Sequence, residues 1–175
     1  MKNFWLIAVI TVVVILATAG TTQADQVLYG EAKSLANGVG VYSVSPWTSL
    51  VTVLALLLYF AVTANVGRAR AKYKIAAPQM SGEPNFERVL RVQQNTLEQL
   101  ILFVPALWLF SWFVSPVWGA GIGAIWVIGR ILYALGYYQV AEKRALGFGI
   151  SLLTTLVLLL GSLVGAIMAL LKTAL

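Results

Sequence analysis

Arg91, Asn95 and Glu98 place a fork-shaped cation, an amide and a carboxylate within two turns of any helix that carries them. At about 100° per residue, Asn95 falls roughly 40° from Arg91 and Glu98 roughly 20° to its other side, so the three form one polar stripe. Such a stripe can hold a zwitterionic small molecule. The guanidinium takes a carboxylate through two parallel hydrogen bonds, the carboxylate takes an ammonium, and the amide bridges them. The same spacing also suits an internal Arg91 to Glu98 pair, each satisfying the other inside a bundle, and the residues alone leave both readings open. Gln93 projects about 160° from the stripe. A helix with two polar faces can border two sites, as when a symmetric oligomer places ligands between subunits; an amide packed against a neighbouring helix is the alternative.

A second set lies further along the chain. Arg130, Tyr133 and Tyr137 stand at i, i+3 and i+7 on one helical face, and Arg144 follows seven residues later. Tyrosines at a membrane edge commonly belong to the interfacial belt, yet two hydroxyls in register with an intramembrane arginine also suit a ligand. Arg144 flanks an apolar span, where a basic residue sets topology by default. It can equally stabilise a developing anion, because a guanidinium keeps its own proton.

The medium is what gives these residues meaning. Of 175 residues, 60% are hydrophobic and 10% charged, and the mean hydropathy is +0.87, which identifies an integral membrane protein. The polar run Phe86 to Gln99 continues directly into the apolar Leu100 to Val114. An ionised side chain at the centre of a bilayer costs about 2.5 to 3.5 kcal/mol, so such groups face a partner, a cavity or a ligand. Cysteine and histidine are both absent, which removes disulfides, thiolate nucleophiles, imidazole bases and almost every transition-metal or haem ligand set. Any chemistry must therefore use a reactive group that the substrate brings. The net charge of +6 is clustered beside apolar spans, a topological pattern that gives no reason to expect a nucleic-acid partner.

The elements that would position these residues follow from length and punctuation. Lys2, the apolar run Phe4 to Ala19 and small residues ahead of Ala19 and Ala24 read as a signal peptide over residues 1–24, or as an uncleaved signal anchor. Residues 25–45 read as a short extracytoplasmic segment, and residues 46–175 as a four-helix membrane domain. Its spans are expected at Trp47 to Gly67, Asn85 to Val114, Val117 to Tyr138 and Gly147 to Leu171, each near the roughly 20 residues that cross the hydrocarbon. Asn85 is the expected cap of the second span, and Ser115-Pro116 allows only a tight turn after it. Arg68, Arg70, Lys72 and Lys74 form one basic loop and Lys143 with Arg144 another. Both are expected in the cytoplasm, with both mature termini outside. Short connections make an all-α, up-down four-helix bundle.

The run Phe86-Glu87-Arg88-Val89-Leu90-Arg91-Val92-Gln93-Gln94-Asn95-Thr96-Leu97-Glu98 resembles the signature of the MAPEG family, the membrane-associated proteins in eicosanoid and glutathione metabolism. So do Gly129-Arg130-Ile131-Leu132-Tyr133-Ala134-Leu135-Gly136-Tyr137 and Lys143-Arg144-Ala145-Leu146-Gly147-Phe148. The resemblance covers about Trp47 to Lys172 and is nearest to the microsomal glutathione S-transferase 2 and leukotriene C4 synthase type. It implies a homotrimer with glutathione, the co-substrate, bound between subunits near the cytoplasmic side; the cleavable signal, unusual for the family, is what points to a bacterial inner membrane. The resemblance implies that Arg91, Asn95, Glu98, Tyr133 and Tyr137 hold the peptide, that Gln93 and Arg70 serve the neighbouring subunit's glutathione, and that Arg144 stabilises its thiolate. The thiolate would attack a lipophilic electrophile or a lipid hydroperoxide arriving from the membrane lipid, with no metal or haem. Two departures stand out. Gln99 occupies a position that is aromatic in the nearest family members, which weakens one glutathione contact, and Ala71 one that is basic in leukotriene C4 synthase, which argues against that enzyme's lipid substrate. A non-catalytic lipid-binding scaffold and a small transporter are the competing functions.

Overall fold

Three of the four long helices among the described residues start on a proline, where a fixed φ and a missing N–H suit the first helical position. In the structure, a computed structural model that describes residues 45–174, they are α1 (Pro46–Tyr73), α2 (Pro84–Phe113) and α3 (Pro116–Gln139). A 3₁₀ turn (Ala141–Arg144) then leads into α4 (Ala145–Ala174). The expected signal peptide over residues 1–24, and all but the last residue of the segment 25–45, lie outside the described residues.

Two local expectations are corrected. The α2 cap is Glu83, not Asn85: its carboxylate accepts from the Phe86 N–H at 2.8 Å. Pro84 starts the helix, so Asn85 already lies in the first turn, where its Nδ2 donates to the Glu83 carboxylate at 2.6 Å. The helix α1 also runs past Gly67 to Tyr73, which puts Arg68, Arg70 and Lys72 on a helix rather than in a loop. Nothing in that stretch breaks a helix, and cations are favoured at its C-terminus by the dipole. Lys74 then stops the helix in the left-handed region at φ 56°.

Contacts at both ends set the directions of the helices. Thr48 at the start of α1 donates to Ser111 at the end of α2 at 2.9 Å, while Arg70 at the end of α1 lies over Phe86 at the start of α2. These two helices are therefore antiparallel. Phe103 of α2 stacks on Trp126 of α3 at 3.9 Å, and Asn95 and Thr96 of α2 meet Arg130 of α3, so α2 and α3 are antiparallel too. Ser162 of α4 donates to the Ala106 carbonyl at 3.2 Å. The helices α2 and α3 form the central pair, each packed against both α1 and α4, in an all-α four-helix bundle.

All four helices are long and apolar enough to cross a membrane. Large apolar side chains such as Phe60, Ile101, Trp118, Leu153 and Leu163 stand exposed on their outer faces, as a protein solvated by lipid requires. Several polar side chains inside find partners within the bundle, for example Trp108 donating to Thr52 at 3.1 Å and Ser151 to the Gly147 carbonyl at 2.7 Å.

The crossing of α3 and α4 depends on glycine. A Cβ at Gly147 would collide with the backbone N–H of Tyr133 and lie 2.6 Å from both the Gly129 carbonyl and the Tyr133 Cα. Backbone cannot yield as a side chain can. Gly147→Ala is expected to lower stability by about 1 to 3 kcal/mol or more through overpacking, whereas Gly121→Ala, with nothing within 4 Å of the added carbon, should be tolerated. Thermal unfolding of the two variants side by side in detergent checks this; equal midpoints would contradict the packing.

Candidate functional site

The polar stripe of α2 lines a cavity. Arg91, Gln94, Asn95 and Glu98 from α2, Tyr133 and Tyr137 from α3, and Arg144 from the 3₁₀ turn surround an open space of about 130 Å³. Six of the eight residues that the resemblance assigns to the site thus converge from two helices and a turn. Asn95 is oriented within it, its Nδ2 donating to the Glu98 carboxylate at 3.1 Å. Arg91 and Glu98 are exposed along the cavity.

Behind this wall lies Arg130, with 0% of its surface exposed. Its Nη1 donates to Asn95 Oδ1 at 3.1 Å and its Nη2 to Thr96 Oγ1 at 2.7 Å. Thr96 passes the contact on by donating to the Val92 carbonyl at 2.6 Å. The guanidinium also covers the Tyr133 ring, with Cζ 4.1 Å from the centroid. Tyr133 stacks on Tyr137 at 5.7 Å and 18°, and Arg144 lies over the other ring, 5.2 Å from the Tyr137 centroid. Two arginines and two tyrosines so form one ladder, buried at the Arg130 end and exposed at the Arg144 end.

Gln94 was missed by sequence reasoning, although the signal was available. Three residues beyond Arg91, it falls only about 60° from that side chain. The cavity can accept anionic groups at Arg91 and Arg144 and a cationic group at Glu98, with amide and phenol groups between them. That is the inventory a peptide-like zwitterion requires.

Arg70 and Gln93 are not among the lining residues. Gln93 points the other way, and its Nε2 donates to the Tyr59 hydroxyl of α1 at 2.7 Å. Arg70 straps the connection between α1 and α2: its Nη1 donates to the carbonyls of Gln79 at 2.8 Å and Ala76 at 3.3 Å, and its guanidinium covers Phe86 at 5.1 Å.

Comparison with known proteins places these features in a lineage. A family model described as "MAPEG family" matches residues 48–164. An uncharacterized protein of Synechocystis sp. is 54% identical over 117 residues, covering 67% of this chain and 85% of that one. Human microsomal glutathione S-transferase 2 is 43% identical over 106 residues, covering 60% of this chain and 71% of the relative. Leukotriene C4 synthase of Bos taurus is 33% identical over 94 residues, covering 54% of this chain and 63% of the relative.

The strap made by Arg70 has a direct consequence for the loop it holds. Arg70→Ala should leave the helices intact but free the segment after Lys74, so that trypsin cuts there about three to ten times faster. Timed digestion followed by mass spectrometry measures the rate, and an unchanged rate would show that the two carbonyl contacts do not hold the loop.

Proposed function

The chain belongs to the MAPEG family, and we propose that it is a membrane-bound glutathione transferase whose cavity between α2, α3 and the 3₁₀ turn binds glutathione and stabilises its thiolate. The observation that carries this reading is the convergence of Arg91, Asn95, Glu98, Tyr133, Tyr137 and Arg144 on one cavity. Glutathione has two carboxylates, an ammonium and a thiol. It supplies the nucleophile that a chain without cysteine or histidine cannot.

In this reading Arg91 takes a carboxylate, Glu98 the ammonium, and Asn95, Tyr133 and Tyr137 fix the peptide between them. Arg144 holds the sulfur. A free thiol has a pKa of about 8.5, and a neighbouring cation lowers it. The thiolate sulfur attacks the electrophilic carbon of a lipophilic acceptor, the bond from carbon to its leaving group breaks, and the leaving group departs with the electron pair. With a lipid hydroperoxide the same thiolate attacks the terminal oxygen and the lipid alkoxide leaves, to be protonated to an alcohol. A second glutathione then converts the resulting sulfenic form into glutathione disulfide and water.

The cavity of about 130 Å³ is below the roughly 300 to 1,000 Å³ of ligand clefts, which supports a site completed by a second subunit. A homotrimer of this kind would leave Gln93 and Arg70 to act at the neighbouring site through the polar atoms they do not use within the chain. Membrane lipid delivers the electrophile, and the positive flanks Arg68, Arg70, Lys72, Lys74, Lys143 and Arg144 favour a site on the cytoplasmic side, with both mature termini periplasmic in a bacterial inner membrane.

The test uses purified protein in detergent. Wild type should bind glutathione saturably, and Arg91→Ala should weaken binding about ten- to hundredfold through loss of a charge-assisted pair. Conjugation of a chlorinated aromatic should fall in Arg144→Ala by about tenfold for each pKa unit of thiolate stabilisation removed. The sign of the pH dependence follows. Arg144 lowers the thiol pKa, so its loss hurts most at neutral pH, and the two rates should converge as pH rises above the unperturbed thiol pKa of about 8.5. Saturable glutathione binding with equal background rates for both proteins would instead favour a non-catalytic lipid-binding scaffold, and absence of binding in wild type would refute the reading.

A further inference from the structure

Arg130 lines no part of the cavity, yet it touches two residues that do. We infer that Arg130 is a positioning residue of the glutathione site, acting through the amide of Asn95 and the ring of Tyr133; the inference rests on the proposed binding of glutathione.

The argument begins with the ambiguity of an amide. Its oxygen and nitrogen ends are nearly the same shape, so a lone asparagine can present either to a ligand. A guanidinium has donors only. With Arg130 Nη1 directed at Asn95 Oδ1 at 3.1 Å, the amide oxygen must face inward and Nδ2 outward. There Nδ2 meets the Glu98 carboxylate at 3.1 Å. The donor at the back therefore determines the polarity at the front, and Glu98 keeps its remaining acceptor capacity for an ammonium.

The second contact acts on the other wall. The Arg130 guanidinium lies over the Tyr133 ring, with Cζ 4.1 Å from the centroid, Tyr137 stacks on Tyr133, and Arg144 covers Tyr137. Arg130 is anchored for this task by its second bond, to Thr96 Oγ1 at 2.7 Å. Lysine cannot replace it. An ammonium offers a point charge without the planar fork that reaches Asn95 and Thr96 together while covering a ring.

Glutathione affinity and steady-state conjugation of the full chain in detergent test this, using wild type, Arg130→Lys, Thr96→Val, Asn95→Ala and the two doubles with Asn95→Ala. Arg130→Lys should raise the glutathione KM about tenfold while kcat at saturation stays within about threefold, the split expected when binding geometry rather than chemistry is lost. Thr96→Val should shift KM the same way by about two- to fourfold, through loss of one hydrogen bond to a charged group. In each double the combined effect should fall well short of the product of the singles, because the arginine works through that amide. A folded Arg130→Lys with wild-type KM, or fully multiplicative effects, would overturn the inference while leaving glutathione binding intact. If Arg130→Lys does not fold, the Thr96→Val and Asn95→Ala cycle decides on the same criterion. Absence of glutathione binding by wild type would overturn the proposed function and this inference with it.

Discussion

A guanidinium that no solvent reaches sets the register of the two central helices. Removing a charged group from water is costly unless donors find acceptors, and hydrocarbon offers none. Arg130 of α3 meets that demand with Asn95 Oδ1 and Thr96 Oγ1, adjacent residues of α2, and with the face of Tyr133. Only its Nε lacks a partner among the described residues. A slip of α2 by one residue would rotate both acceptors by about 100° and strand the charge. The same contact draws Asn95 to the rim of the cavity, so one interaction fixes the bundle and aims a binding group. Two turns away, the stack of Phe103 on Trp126 extends the seam with apolar surface.

The opposite wall depends on close backbone approach. A Cβ at Gly136 would lie 2.5 Å from the Lys143 carbonyl, so the 3₁₀ turn sits directly on the end of α3. That is what brings Arg144, the last residue of the turn, over Tyr137. With Gly147 pressed against the backbone of Tyr133, the start of α4 is held to the same segment. Arg144 is exposed, yet its backbone is anchored on both sides. A flexible side chain on a fixed stem can follow a ligand without losing its place.

Much of this was legible in the sequence because helical spacing in a membrane is a strict code. The four spans, the stripe of Arg91, Asn95 and Glu98, and the face shared by Arg130, Tyr133 and Tyr137 all follow from a period of 3.6 residues and the scarcity of charge in an apolar chain. Helix ends were less legible. Asn85 and Glu83 both satisfy the chemistry of a cap, and Pro84 decides between them only through backbone geometry. The extension of α1 through Arg68, Arg70 and Lys72 was hidden because basic residues mark the membrane boundary whether or not the helix ends there. Tertiary partners lay beyond periodicity altogether. Spacing puts Gln93 on a second polar face, but nothing in it identifies Tyr59, 34 residues earlier, as the group it meets.

Charge balance connects the buried arginine to the chemistry proposed for the exposed one. Around the cavity stand Arg91 and Arg144 against Glu98, with Arg130 immediately behind; the four side chains leave two positive charges. Glutathione as a thiol carries one net negative charge, from two carboxylates and an ammonium. As a thiolate it carries two. Under the proposed reading these four side chains outweigh the thiol form of glutathione by one positive charge, and Arg70 of the neighbouring subunit adds to that excess, so the whole constellation, and not Arg144 alone, favours the nucleophilic form. Distance divides the labour, since the Coulomb term falls with separation and is screened wherever water enters. Arg144 is open to solvent, and its effect is strongest when a ligand and a lipophilic acceptor have displaced that water. Arg130 contributes its field from a fully buried position, while its hydrogen bond holds the Asn95 amide.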